Sequence, residues 1–340
     1  MKEIEKNVPL ASHTTLKLGG IAEYFAVIQT LQDLEDAVIF ARDNKIPFFI
    51  LGGGSNVLVS DRGFPGIVFK LELKGISKVE VDGGAEIVAS AGEVWDRLVE
   101  KSVEWHLFGL ENLSGIPGTV GAAPIQNIGA YGVEAMDLIS FVEVFDSEDL
   151  RKKIFKPSDC AFGYRDSIFK KPEGKKYIVT AVGFHLKKED NLKTHYKDLQ
   201  FYVKEHGMPE TLSDMRKAIL SIRAKKFPDI KKVGTAGSFF KNPIVNKDFF
   251  ERLKEKFPEI PGFPTIDGKV KVSMAWILDR ILKKKGYEKG SVTLYAAQPL
   301  VLVHSGGGTA EEVKKFAEEI AKEVKEKTGI EVEWEVQCVG

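Results

Sequence analysis

The chain has 340 residues, of which 49 are Lys or Arg and 49 are Asp or Glu, so its formal net charge is zero. This charge balance argues against a large basic surface that binds nucleic acid. It still allows a local basic pocket that binds phosphate. Two cysteines are too few for a disulfide framework or a metal cluster. The sequence has no apolar run of about 20 residues, which a membrane span needs, and its charged N-terminus does not look like a signal peptide. We therefore expect a cytoplasmic protein without a metal.

The first seventy residues predict a small α/β unit. A helix over Leu31–Lys45 would place Leu34, Val38 and Ala41 on one face. Around it we expect strands at Ile21–Ile28, Pro47–Leu51, Val57–Ser60 and Gly66–Leu71, with a glycine turn at Gly52–Asn56.

The middle of the chain favours antiparallel strands. Asp82, Gly83 and Gly84 lie between two short β-rich runs and predict a hairpin. A helix at Glu93–Lys101 and strands at Phe141–Phe145 and Tyr177–His185 complete an α+β segment.

A third segment begins near Ser213. The pattern predicts helices through Met215 to Ile222, at Lys247–Phe257 and Ser273–Lys284, and at Ala310–Lys327, where Thr309 and Glu312 form a capping box. Strands are expected at Pro299–His304 and Ile330–Val336.

Two glycine-rich segments indicate a ligand that contacts the backbone. Glycine permits positive φ and a close approach of the main chain, and successive N–H groups can surround an anion. The first segment is Gly52–Asn56 and the second is Gly115–Gly132, which has GxxGxxG spacing instead of the Rossmann fingerprint. Together they favour a bound dinucleotide, and FAD is the natural candidate.

Three further residues are candidates for chemistry, each with a plain structural alternative. Arg165 beside Asp166 is either a functional guanidinium or half of a structural ion pair. Ser238 lies on a tight apolar turn, where serine often serves the turn alone. Glu335 lies in a run of alternating polar and apolar residues, so its side chain faces either the protein interior or solvent. Burial in the interior would raise the pKa of its carboxyl group.

These motifs also carry a resemblance to a known family. LGGGSNVLVSD, IPGTVGAAPIQNIGAYG, GYRDSIFK, AGSFFKNP and EWEV occur in this order over nearly the whole chain. The sequence resembles the UDP-N-acetylenolpyruvoylglucosamine reductases (MurB), and the Tyr196 segment is similar to the long, type I branch. The resemblance implies an α+β protein with an FAD-binding fold of the vanillyl-alcohol-oxidase (PCMH) type in two subdomains and a C-terminal α+β substrate-binding domain. The implied boundaries are 1–72, to which strand 330–340 returns, 73–212 with the Tyr196 loop, and 213–329.

The resemblance implies a reaction in two steps. NADPH reduces bound FAD, and flavin N5 then delivers hydride to C3 of the enolpyruvyl group of the sugar nucleotide, giving UDP-N-acetylmuramate for peptidoglycan synthesis. Ser238 would donate the proton to C2, while Arg165 and Glu335 would stabilise the enolate-like intermediate.

The resemblance also implies two sets of binding residues. The set for FAD is Gly52, Gly53, Gly54, Ser55, Asn56, Gly115, Pro117, Gly118, Gly121, Ala122, Gln126, Asn127, Gly129, Ala130, Tyr131 and Gly132. The set for the sugar nucleotide is Tyr196, Arg223, Lys226, Asn242, Lys285 and Gln298, with Lys285 ambiguous within the run Lys283–Lys285.

Two other functions stay open at this point. One is an FAD-dependent oxidoreductase of the same fold acting on another sugar or alcohol, and the other is a flavin-binding protein without catalysis. In each case we expect a monomer whose partner is a small molecule, with no nucleic acid or membrane partner.

Overall fold

The structure is a computed structural model, and it describes residues 4–340. The strands are β1 (Glu5–Pro9), β2 (Ile21–Ile28), β3 (Phe48–Leu51), β4 (Val57–Val59), β5 (Phe64–Leu71), β6 (Ile76–Val81), β7 (Gly84–Ser90), β8 (Gly129–Ala130), β9 (Val133–Glu134), β10 (Ile139–Asp146), β11 (Arg151–Phe155), β12 (Tyr177–Lys187), β13 (Gly234–Ser238), β14 (Ile244–Val245), β15 (Gly262–Pro264), β16 (Val270–Val272), β17 (Glu288–Lys289), β18 (Val292–Leu294), β19 (Val301–His304) and β20 (Gln337–Val339). The α-helices are α1 (Leu31–Asp43), α2 (Trp95–Glu104), α3 (Ala123–Gln126), α4 (Lys197–His206), α5 (Leu212–Lys226), α6 (Lys247–Lys256), α7 (Met274–Trp276) and α8 (Ala310–Thr328).

The chain divides into two compact units. The first consists of the residues up to Val8, Ala22–Gly53 and Pro65–Ala224, and the second of Pro9–Ile21, Gly54–Phe64 and Lys225–Gly340. The mixed content of helix and strand agrees with the predicted α+β class. The division into three domains stays a prediction.

The first unit contains a four-stranded and a five-stranded sheet. The strand order is β1-β2-β5-β3 in one, where β3 and β5 are parallel, and β11-β10-β12-β7-β6 in the other, which is antiparallel throughout. The predicted hairpin is confirmed, since Val81 pairs with Gly84. Trp95 of α2 is fully buried against Phe184 of β12, with ring centroids 5.8 Å apart. Burial of one such side chain contributes about 1.5–3 kcal/mol.

Helix α1 follows the predicted pattern. Thr30 and Asp33 form a capping box at its start, and Leu34, Val38 and Ala41 are buried on one face. This face packs in the core of the first unit with β5 and β7.

The second unit is organised around α8 and the sheet β13-β19-β18-β17. The capping box at the start of α8 is confirmed, because Thr309 accepts from the N–H of Glu312 and Glu312 accepts from that of Thr309, both at 3.1 Å. The apolar face of α8, which includes Phe316 and Ile320, is buried in a core shared with β18 and β19. A three-stranded sheet, β14-β16-β15, and the parallel pair β20-β4 complete the unit.

Two predicted elements are wrong. The C-terminal strand is Gln337–Val339 and not Ile330–Val336, because backbone pairing in the earlier run is limited to an isolated bridge between Trp334 and Phe240. The single helix expected at Ser273–Lys284 is the short α7 followed by a π-helical turn at Ile277–Ile281, whose last N–H bond runs from Leu282 to the Ile277 oxygen. Ten strands and two helices are additional to the predicted elements: β1, β8, β9, β11, β13 to β18, α3 and α4.

Among residues 4–340, the structure has no helix that is both long and apolar enough to span a membrane.

Candidate active site

In the first unit, Gly52 and Gly53 lie directly against the second glycine-rich segment. A Cβ at Gly53 would lie 2.7 Å from the Cα of Gly118, and one at Gly52 would lie 2.5 Å from Oγ1 of Thr119. Distances under 3.0 Å leave no room for a side chain. The two segments therefore meet backbone to backbone at Gly53 and Gly118.

The second glycine-rich segment owes its shape to several left-handed residues. Gly115, Gly118 and Gly132 have positive φ, and so do Asn127 and Tyr131, at 43° and 49°. Asn127 is fully buried, and its amide donates to Glu134 and Gly163 and accepts from the N–H of Met136. The side chain of Asn127 therefore holds the loop together, and its contact with FAD stays a prediction.

This backbone-lined region fits FAD by its chemistry. A surface of closely packed glycines lets a flat ring system and a diphosphate approach peptide N–H groups. The other FAD candidates of this unit lie along the same segment, with Gly121 buried against Ala91, Pro117 exposed, and Ala122, Gln126, Gly129 and Ala130 half-buried. Gly54, Ser55 and Asn56 belong to the second unit.

Arg165 is held by the carbonyl oxygens of the second glycine-rich segment. It lies in a tight turn at Gly163–Asp166 with φ of 53°, and its guanidinium donates to the oxygens of Asn127 at 3.1 Å and Gly129 at 2.5 Å. The carboxylate of Asp166 accepts from Lys171. The guanidinium thus has a fixed orientation beside the proposed flavin surface.

Tyr131, Tyr196 and Arg223 form a second cluster in the same unit. The two tyrosine rings meet edge to face with centroids 5.5 Å apart. Arg223 of α5 donates to the Tyr131 hydroxyl, and its Nε donates to the Gly115 oxygen at 3.0 Å. Burial raises the pKa of Tyr131 to about 12, so this phenol stays protonated at neutral pH. The structure therefore brings two of the predicted sugar-nucleotide residues to the ends of the second glycine-rich segment.

Asn112 connects the Tyr196 loop to this cluster. Its amide nitrogen donates to the oxygens of Tyr131 and Lys193, each at 2.9 Å. The side chain is fully buried, and its Oδ1 has no hydrogen-bond partner among residues 4–340. The loop before α4 is thus fixed three residues ahead of Tyr196.

In the second unit, Ser238 is the last residue of β13. It pairs with Val301 of β19, and an extra residue between Thr235 and Ser238 produces a bulge. Gly237 supplies the positive φ of 74° within that bulge. A β-bulge redirects the side chain that follows it, so the local sequence AGS sets the direction of the Ser238 hydroxyl.

Glu335 lies on the chain segment beside Ser238. Its N–H donates to the oxygen of Phe239, the residue after Ser238, at 2.8 Å. Asn56 of the first glycine-rich segment donates from Nδ2 to the Glu335 oxygen at 3.1 Å. Strand-like pairing therefore brings the two predicted catalytic residues of this unit together, and both are half-buried.

The remaining sugar-nucleotide candidates lie in loops and turns of the second unit. Asn242 accepts the N–H of Met274 at 3.0 Å, and Gln298 lies in the turn before β19. Lys226, at the end of α5, is half-buried. In the lysine run, Lys284 pairs with Glu323 at 2.8 Å, whereas Lys285 is exposed.

Lys70 contacts the first glycine-rich segment and was not singled out from the sequence. Its amine donates to the carbonyl oxygen of Gly52, and burial lowers its pKa from the ordinary lysine value. A lysine within the apolar run GIVFKL of β5 was the available signal, because such a residue needs a partner for its charge.

Comparisons with known proteins connect both units to one enzyme family. Residues 22–149 match a model of an FAD binding domain, and residues 228–339 match that of the C-terminal domain of UDP-N-acetylenolpyruvoylglucosamine reductase. The chain is 39% identical to the reductase of that name from Ralstonia nicotianae, over 98% of each chain, and 38% identical to that from Pseudomonas aeruginosa, over 97% of each. The crystal structure of the Thermus caldophilus enzyme superposes with a TM-score of 0.68 at 26% identity, covering 99% of both chains. The chain therefore belongs to the UDP-N-acetylenolpyruvoylglucosamine reductase family.

Proposed function

We propose that the enzyme protonates its substrate from Ser238 and stabilises the preceding carbanion through Arg165 and Glu335. The enzyme is an FAD-dependent oxidoreductase that reduces UDP-N-acetylenolpyruvoylglucosamine with NADPH, a step of peptidoglycan precursor synthesis. Family membership sets aside the other flavin-dependent activities considered from sequence. The observation that supports these residue roles best is the hydrogen bond from Glu335 N–H to the oxygen of Phe239, next to Ser238.

The glycine-rich segments are the proposed flavin contacts. When bound there, FAD would supply hydride transfer between NADPH and C3 of the enolpyruvyl group. Gly53 and Gly118 let the two segments pack directly against each other, and Lys70 holds the carbonyl of Gly52. Backbone N–H groups of such segments bind a diphosphate without added charge.

Arg165 is the proposed electrostatic stabiliser. When C3 of the C2–C3 double bond accepts hydride, the electron pair of that bond moves to C2 and the adjoining carboxylate. A preoriented cation lowers the free energy of that developing charge, since no reorganisation is needed at the moment of reaction. The hydrogen bonds of Arg165 to Asn127 and Gly129 provide such an orientation.

Ser238 is the proposed proton donor. Its O–H bond breaks as a C–H bond forms at C2, and the resulting alkoxide regains a proton from a second donor before the next turnover. Serine is a weak acid, but the carbanion at C2 is a strong base, so the transfer is favourable in that direction. Glu335, on the neighbouring chain segment, is the proposed partner in stabilising the same intermediate.

The sugar-nucleotide diphosphate and uridine are assigned to Tyr196, Arg223, Lys226, Asn242, Lys285 and Gln298. Cations and hydrogen-bond donors suit a diphosphate, and charge-assisted bonds of this kind are about twice as strong as neutral ones. Arg223 is the best supported of the set, because its guanidinium is already oriented by Gly115 and Tyr131. A monomeric state and a cytoplasmic location stay predictions.

The experiment that tests the proton-donor role separates the two half-reactions in Ser238→Ala. Anaerobic stopped-flow absorbance should show flavin reduction by NADPH at nearly the wild-type rate. Reoxidation by the enolpyruvyl substrate should be slower by about 10²–10⁴-fold, the usual contribution of a general acid.

Ser305→Ala is the matched control, because Ser305 is an exposed serine directly after β19. It should leave both rates unchanged. An equal loss in both half-reactions of Ser238→Ala would remove Ser238 from the proton-donor role.

A further inference from the structure

Arg216 of α5 and Asp96 of α2 form a half-buried ion pair next to the second glycine-rich segment, with 34% of the Asp96 side chain exposed. The guanidinium donates to both carboxylate oxygens, at 2.6 Å and 2.9 Å, and only 13% of the Arg216 side chain is exposed. Two parallel bonds between planar groups fix the relative orientation of the pair. The pair therefore fixes α5 relative to α2 within the first unit.

Asp96 is also bonded to the backbone of this segment. One of its oxygens accepts the N–H of Gly115 at 2.6 Å, while the carbonyl of the same glycine accepts from Arg223 Nε at 3.0 Å. A Cβ at Gly115 would lie 2.8 Å from Leu220 and 3.2 Å from Arg223 Nε, so α5 lies directly over this residue. Asp96 thus holds the N–H of Gly115 and Arg223 holds its carbonyl oxygen, and the ion pair positions both side chains.

Arg216 lies between two carboxylates, since its guanidinium is also 3.8 Å from Glu100 Oε1, and the charge of Arg223 acts on Asp96 as well. Burial acts to raise the pKa of Asp96, but the bonds from Arg216 and Gly115 and the charge of Arg223 outweigh it, so the pKa lies below the ordinary aspartate value. Asp96 therefore stays ionised at neutral pH. Without Arg216, the nearest remaining cation of the cluster would be Arg223.

We infer that Arg216 is a positioning residue that neutralises Asp96 and so keeps Arg223 directed to Gly115, Tyr131 and the diphosphate of the sugar nucleotide. This inference rests on the proposed diphosphate-binding role of Arg223. Loss of Arg216 would draw Arg223 toward the Asp96 carboxylate, which would then lack its cationic partner. This role of Arg216 requires the negative charge of Asp96. A role of Arg216 in holding α5 in place would not require that charge.

The test is a double-mutant cycle on the FAD-loaded enzyme with two readouts. KM for the enolpyruvyl sugar nucleotide is measured by steady-state kinetics, and the Kd of UDP is measured by titration calorimetry without turnover. Arg216→Met should raise both by about tenfold, within the range of coupling between groups in contact. The rate of flavin reduction by NADPH should stay unchanged.

The second arm of the cycle is Asp96→Asn/Arg216→Met. Asparagine retains an oxygen for the Gly115 N–H but carries no charge, so both constants should return to within about threefold of wild type. Lys217→Met is the matched control, because Lys217 pairs with Asp214 at the surface at 3.7 Å, and it should change neither constant. If Arg216→Met does not fold, Arg216→Gln takes its place in the same cycle.

Two results would overturn the inference. One is an unchanged UDP Kd in Arg216→Met, and the other is an equally raised Kd in the single and the double variant, which would indicate loss of helix support alone. Arg223→Met distinguishes the premise from the inference. If its UDP Kd equals that of wild type, the proposed role of Arg223 fails first.

Discussion

The two units position their candidate residues in different ways. In the first unit, side chains donate to carbonyl oxygens of the glycine-rich segments, as Arg165 does to Gly129, Arg223 to Gly115 and Lys70 to Gly52. In the second unit, Ser238 and Glu335 are placed by backbone pairing, through β19 and through the bond to Phe239. These side chains of the first unit therefore support the backbone beside them, whereas Ser238 and Glu335 are positioned by the pairing of their own main chain.

This difference predicts different consequences of mutation. In the first unit, truncation of a side chain that donates to the carbonyls of the proposed flavin surface should disturb both chemistry and ligand affinity. Truncation of Ser238 should remove chemistry alone, because β13 keeps its pairing without the hydroxyl. Three substitutions test this contrast, beginning with the largest expected effect.

Arg165→Met should impair both flavin affinity and the second half-reaction. Loss of a preoriented charge should slow flavin reoxidation by about 10²–10³-fold. The loss of donors to Asn127 and Gly129 should also weaken FAD binding, measured by fluorescence titration of the apoprotein. Arg151→Met, at an exposed position of β11, is the control and should change neither quantity. Normal FAD affinity together with slow reoxidation would show that the contrast between the units is wrong.

Gly53→Ala should weaken FAD binding through the backbone alone. The new Cβ would lie 2.7 Å from Gly118 Cα and 3.2 Å from its carbonyl carbon, so the two glycine-rich segments must move apart. Overpacking of this kind costs about 1–3 kcal/mol, which corresponds to roughly a 5- to 150-fold rise in the FAD Kd.

The control for this substitution is Gly83→Ala. Gly83 has a φ of 71° in the β6–β7 turn, and no atom lies within 4 Å of the position that a Cβ would take, so alanine strains a turn away from the flavin surface. It should lower the free energy of unfolding and leave the FAD Kd unchanged. Unchanged FAD affinity in Gly53→Ala would contradict the assignment of the first glycine-rich segment.

Tyr196→Phe should give the smallest effect of the three. The ring and its contact with Tyr131 remain, and only the hydroxyl is lost. A hydrogen bond contributes about 1 kcal/mol, so KM for the sugar nucleotide should rise by roughly fivefold while the FAD Kd stays constant. Tyr202→Phe in the helix that follows is the control and should leave KM unchanged. A protein that loses flavin on purification would contradict the placement of Tyr196 in the substrate loop.

The sequence predicted those features that depend on local chemistry. The α8 capping box needs only Thr309 and Glu312 at the right spacing, and the hairpin turn needs only Asp82–Gly84. The glycine-rich segments were recognisable for the same reason, since glycine allows backbone contact at any such position.

Features that depend on distant partners were missed. The Asp96–Arg216 pair joins residues 120 positions apart, and neither is unusual in its own segment. Ile330–Val336 alternates like a strand, but a strand also needs a neighbour with free backbone groups, and pairing there is limited to one bridge. The π-helical turn after α7 likewise preserves a helical pattern in sequence while its hydrogen bonds differ.

The most direct test of the account is the visible spectrum of the wild-type enzyme under anaerobic conditions. Addition of NADPH should bleach the oxidised-flavin band, and addition of UDP-N-acetylenolpyruvoylglucosamine should restore it. A flavin that bleaches and does not recover would contradict the proposed second half-reaction, and a protein that takes up no FAD would contradict the assignment of both glycine-rich segments.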